Sequence, residues 1–156
     1  MKTSRLLPLI AILLAFTFFT GCKKDKNEPE PELTAEDRLT AKSWQGDKVL
    51  ALGMDAYAIP QLADMLPDIK TMVLVFKKDG TYTATYSEKG QSVPLSGTWE
   101  LRKEDTSIYF DLLSTFGLNE EVDIKTLTAT SLILTTTVTV PNNPLQIPLE
   151  VHFVSN

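Results

Sequence analysis

One cysteine and one histidine stand in 156 residues, and each scarcity removes a class of chemistry. With a lone Cys22 the chain has no intrachain disulfide, so packing and hydrogen bonding must carry its stability. His152 and Cys22 together cannot assemble a zinc site of the usual ligands. A Ser-His-Asp triad would have to be built on His152, and nothing near it resembles a nucleophile elbow. No Gly-rich phosphate loop or dinucleotide fingerprint occurs, and Asp25-x-Asn27 lacks the glycine and later ligands of a calcium loop. Adjacent carboxylates occur at Glu104-Asp105 and Glu120-Glu121, but neighbours on a strand or turn point apart and do not share a proton. The expectation is therefore a protein without catalytic activity, cofactor or metal.

Basic charge is also in short supply. Removing residues 1–21 takes away Lys2, Arg5 and no acid, which leaves 13 basic against 20 acidic side chains, a net of −7. That balance argues against nucleic acid as a partner.

Long apolar runs are absent but for one. Residues 1–5 are a short basic start, residues 6–19 are apolar except for Pro8 and Thr17, and Thr20-Gly21 places small residues before Cys22. This three-part shape is that of an export signal, too short and too closely followed by charge to span a bilayer. A lone cysteine at the cut site takes lipid on its thiol and becomes the first residue of the mature chain. The rival readings are a released protein with an odd thiol and a buried structural cysteine, and Lys23-Lys24-Asp25-Lys26-Asn27 directly after it fits the second poorly. Palmitate-type acyl chains on Cys22 would hold the domain stably at the membrane, because two or more chains anchor where one does not. The expected location is the cell envelope, as an outer-membrane lipoprotein.

Residues 23–32, KKDKNEPEPE, hold no apolar side chain and two prolines, the composition of a flexible tether. A lysine- and acid-rich tract in this place resembles the surface-export tags of some Gram-negative lipoproteins, and a plain spacer is the alternative. The expected organisation is a signal at 1–21, a lipidated cysteine and tether at 22–32, and one folded domain at 33–156.

Within that domain Thr34-Ala35-Glu36-Asp37 reads as a helix start with Thr34 as N-cap. From residue 42 onward β-branched and aromatic residues dominate, and strands are expected near 43–51, 71–77, 80–87, 92–102, 106–112, 121–128, 131–140 and 146–154. Asp79-Gly80 supplies a hairpin turn, Glu88-Lys89-Gly90 and Lys103-Glu104-Asp105 are polar breaks, and Pro141-Asn142-Asn143-Pro144 excludes ladder donors. Tyr82, Ala84 and Tyr86 alternate with threonines, and Ile147, Leu149, Val151 and Phe153 alternate with a polar face that includes His152. Leu132, Leu134, Val138 and Val140 oppose a threonine-rich face from Thr135 to Thr139. One dry and one wet side with short connections predicts an all-β, eight-stranded antiparallel up-and-down barrel. A short helix in the first long connection follows from Pro60 at its start and Pro67 as its stop, with Ile59, Leu62, Ala63 and Leu66 on one face.

Four segments then fall into a familiar order: Leu39-Thr40-Ala41-Lys42-Ser43-Trp44, Val75 to Tyr82 through Asp79-Gly80, Ser96-Gly97-Thr98-Trp99-Glu100-Leu101, and Ser131-Leu132-Ile133-Leu134. Over 33–156 the chain resembles the lipocalin-like domain of bacterial lipoproteins. The resemblance implies a calycin-type eight-stranded barrel with Trp44 on its first strand. It departs from the secreted lipocalins at Lys42, where those usually carry glycine.

Two functions are open on these grounds. One is a binding module for a small apolar ligand, with Met54, Tyr57, Leu62, Met65 and Phe116 as a candidate rim and the two connections as a lid. The other is a filled barrel in which the helix is a plug, acting as an interaction or inhibitor module against another envelope protein.

Overall fold

The computed structural model describes residues 32–140 and 145–156. The export signal, Cys22 with its tether up to residue 31, and the turn expected at 141–144 lie outside the described residues. Glu32–Asn156 form one compact unit, with all of its strand pairings and its apolar core inside those bounds.

The strands are β1 (Ser43–Ala51), β2 (Met54–Asp55), β3 (Val73–Phe76), β4 (Thr81–Glu88), β5 (Gln91–Arg102), β6 (Ser107–Phe110), β7 (Glu121–Leu127), β8 (Ser131–Thr139) and β9 (Gln146–Ser155). All neighbours are antiparallel in the order β2-β1-β3-β4-β5-β6-β7-β8-β9, and β1 also pairs with β9. Eight of these strands therefore close an up-and-down barrel, and β2 is a two-residue flap on β1. The eight expected strands are present with ends displaced by at most two residues. β2 is additional, too short for any periodicity to reveal.

Alternation works as the strand pleat requires. Tyr82 and Ala84 on β4, Trp99 on β5, Leu132, Leu134 and Val138 on β8, and Leu149 and Phe153 on β9 are all buried. Aromatic rings fill much of the interior. Phe76 meets Trp99 and Phe110 edge-on at 5.2 and 5.8 Å, and Tyr82 meets Phe110 the same way at 6.0 Å. The indole of Trp99 donates to the Lys77 carbonyl at 2.9 Å, so its polar edge costs little on burial.

Helix α1 (Ala35–Thr40) packs where β1 begins. Thr34 caps it as expected: the Asp37 N–H donates to Thr34 Oγ1 at 3.1 Å, and the Asp37 carboxylate accepts from the Thr34 N–H at 3.4 Å. Leu39 is fully buried, and its carbonyl accepts from the Trp44 indole at 2.9 Å. Lys78 in the β3–β4 turn reaches Asp37 at 2.6 Å, and this contact, followed by that from Thr34, holds the Asp37 carboxyl below its ordinary range.

The first long connection holds two 3₁₀ turns, Ala56–Ala58 and Ile69–Thr71, around α2 (Pro60–Ala63), which starts at Pro60 as expected. It is stapled by Tyr57, whose hydroxyl donates to the Pro67 carbonyl at 2.6 Å and accepts from the Ile69 N–H at 3.0 Å. Beyond Gln45, β1 has no β3 residue beside it, and the Ile69–Thr71 turn lies there instead. The Gly46 N–H donates to the Met72 carbonyl at 2.9 Å, and a Cβ on Gly46 would overlap the Ile69 backbone carbonyl. Gly46→Ala is therefore expected to cost about 1–3 kcal/mol, the usual scale of overpacking. Urea unfolding should show a lower midpoint at unchanged slope. An unchanged midpoint would show that this stretch of wall yields freely.

Candidate functional site

The aromatic cluster leaves room at the end of the barrel where the long connections cross. An apolar cavity lies there, walled on the strand side by Val49, Val122, Leu134, Val151 and Phe153. Leu66, Pro67 and Ile69 from the first connection roof it together with Leu113, Phe116 and Leu118 from the β6–β7 connection. The cavity volume is about 40 Å³, and on the same measure one water needs roughly 10–15 Å³. It has space for a group of a few carbons and not for a sterol-sized molecule.

The β6–β7 connection is pinned at its start. Asp111 accepts from the Tyr82 hydroxyl at 2.6 Å and from the Thr98 N–H at 3.3 Å, in a place that only a missing side chain at Gly97 leaves open. Burial, and after it the Asp111 contact, pushes the Tyr82 phenol well above its ordinary value, so it remains a donor. Helix α3 (Leu112–Thr115) follows, and the Leu113 carbonyl accepts from the N–H groups of Phe116 and Leu118, both at 3.0 Å. Phe116 then rests edge-on against Tyr86 at 5.5 Å.

Of the five candidate rim residues, Phe116 lines the cavity, and the other four are not among its described lining residues. Met54 lies exposed on β2. Tyr57 spends its hydroxyl stapling the connection, Leu62 is fully buried in the core, and Met65 packs partly buried against that core. Helix α2 ends at Ala63, but the Leu66 N–H still donates to the Leu62 carbonyl at 3.0 Å, and Leu66, expected on one face with Leu62, lines the cavity while Met65 does not. His152 is on the outer face, level with Lys48 and Ile133, with Nε2 at 3.4 Å from Glu150 Oε2. Among the described residues no cluster of three His, Cys, Asp or Glu side chains can hold a metal ion.

One polar residue belongs to the cavity wall and was grouped with the wet face on sequence grounds. Thr136 has the same parity as Leu132, Leu134 and Val138 and pairs with the fully buried Leu149, so it sits on the inner face. Parity alone carried that signal, hidden by threonines on both sides. Its Oγ1 is buried and has no hydrogen-bond partner among the described residues.

The outer surface beside this point carries a polar groove lined by Arg102, Lys103, Tyr109, Glu120, Glu121 and Asp123, and by Thr135 and Thr137. Lys103 at 2.8 Å and Arg102 at 3.4 Å both contact Glu121, and the Lys103 contact is the main cause that holds the Glu121 carboxyl below its usual range. No protein-family model matches the chain, and a comparison with curated proteins finds no match.

An unpaired buried hydroxyl costs on the order of 1–3 kcal/mol, and valine has the same shape without it. Thr136→Val is expected to stabilise the ligand-free barrel by about 1 kcal/mol in urea unfolding. A loss of stability would mean that the hydroxyl has a partner in solution.

Proposed function

We propose that this chain is a lipid-anchored envelope protein of the lipocalin-like lipoprotein kind, whose barrel receives a small apolar ligand at the end covered by the two long connections. The observation that carries the reading is the apolar cavity between the Leu66–Ile69 stretch and the segment around Phe116. An empty apolar void forfeits contacts that a ligand restores. Its roof is made of short connections held by a few side-chain contacts, such as Tyr57 with Pro67 and Phe116 with Tyr86, rather than by strand pairing, so it is an easier part of the wall to displace than the paired strands. The anchor follows from the export signal and Cys22, and it would hold the binding domain at the outer membrane on its tether.

The small cavity volume favours a second reading. Pockets for drug-sized molecules run to roughly 300–1,000 Å³, and a barrel largely filled by its own aromatic rings suits an interaction or inhibitor module. Titrating benzene into the 32–156 unit distinguishes the two. Saturable NMR shifts at the methyl groups of Val122, Leu134 and Val151 are expected for ligand binding. Shifts that never saturate would leave the filled-barrel module as the reading.

The anchor has its own test. Cys22→Ser should abolish palmitate labelling and move the chain from the membrane to the soluble fraction, and a variant that stays with the membrane would reject the lipid anchor.

A further inference from the structure

The ladder between β7 and β8 runs from Leu127–Leu132 to Asp123–Thr135 and ends there. The two strands then part. β7 continues beside β6 through Val122–Ile108 and Tyr109–Glu121, while β8 continues beside β9 as far as Thr139–Gln146. Among the described residues the β7-facing edge of β8 beyond Thr135 has no strand partner. The outer groove lies over this open seam, and two residues, Val122 and Thr136, line both it and the inner cavity. A pair of side chains is therefore what separates the apolar interior from a polar surface, and one of the pair carries the buried hydroxyl without a partner.

The geometry points to the β7–β8 seam as the site for the polar head of an amphiphilic ligand, whose apolar tail of a few carbons fills the cavity while its hydroxyl or carbonyl oxygen bonds Thr136 Oγ1. This rests on the cavity reading above and adds to it the ligand class and the side of entry. A purely apolar ligand would leave the hydroxyl as it is. An oxygen on the first carbon outside the cavity would satisfy it and project the head into a groove where Arg102 and Lys103 are already paired with carboxylates, which suits an uncharged polar head. The Val122 side chain on the opposite bank has to move by a rotamer or a small strand shift. The parted ladder leaves no β8 hydrogen bond to break there, and a rotamer change of Val122 keeps its pairing with Ile108 on β6.

The test compares n-hexane and 1-hexanol on the 32–156 unit by NMR titration. For Thr136→Val, 1-hexanol should bind about tenfold more weakly with n-hexane unchanged, the scale of one hydrogen bond. Thr136→Ser, which keeps the hydroxyl, should retain 1-hexanol affinity. In the unsubstituted unit, 1-hexanol but not n-hexane should shift the amides of Val122, Asp123 and Thr135 to Thr137. Equal weakening of both probes in Thr136→Val, or a head-group shift at Leu66 and Phe116 instead, would overturn the seam while leaving the cavity reading standing. Failure of both probes to bind the unsubstituted unit would overturn the two together.

Discussion

A closed wall of strands needs a hydrogen-bonding neighbour on both sides of each member, and β1 is where this chain meets that demand. One edge of β1 pairs with β9 from Trp44–Ser155 to Ala51–Leu149. The other is shared along its length by β3, by the Ile69–Thr71 turn and by β2. The register shift between Gly46 and Lys48 falls where this edge changes hands, and a bulge there bends the strand so that it can serve neighbours in different directions. The absent side chain at Gly46 lets the turn come close enough for its Met72 carbonyl to reach β1. Without that approach the wall would be open between Gln45 and Leu50, and the first connection would be held there by side-chain contacts alone, such as Gln45 with the Lys70 carbonyl and Thr71 with the Ser87 N–H.

Closure in turn creates two unequal halves inside. Around Trp44, Phe76, Trp99 and Phe110 the interior is occupied by rings whose polar edges are satisfied by main-chain carbonyls where they have any. Toward the other end most inward strand positions are smaller, Val49, Val122, Leu134, Thr136 and Val151 beside Phe153. The difference in side-chain size, rather than any special loop, is what leaves space under the connections. The same end is where β7 and β8 part, so the space in the interior lies behind a stretch of wall where a ladder has ended.

Much of this was legible in the sequence because strand alternation and turn chemistry are local. The alternation of Tyr82, Ala84 and Tyr86 and the Asp79-Gly80 turn fixed neighbouring strands without knowledge of the rest, and Gly80 does adopt a φ of +80°. The Thr34 cap was legible for the same reason. The cavity was legible only in outline. Phe116 lines it, but Met54, Tyr57, Leu62 and Met65 are placed by where the first connection turns, and that depends on contacts such as Tyr57 with Pro67 that span ten residues. Thr136 was missed because β8 carries threonine on both faces, so residue type no longer reports orientation and parity has to be counted from Leu134.

The pairing of β1 with β9 also has a kinetic meaning. It joins positions about a hundred residues apart, while the other pairings in the wall join strands at most about thirty residues apart, β1 with β3 being the widest of them. Such a contact carries the largest loop-closure entropy and is the natural last step in folding. Until it forms, β1 and β9 are both free edges on a curled, apolar sheet, the kind of surface that pairs with other chains. The interval between collapse and closure is then the period in which the chain is most exposed to aggregation. Pairing of β1 with β9 closes the barrel and ends that exposure with a single seam.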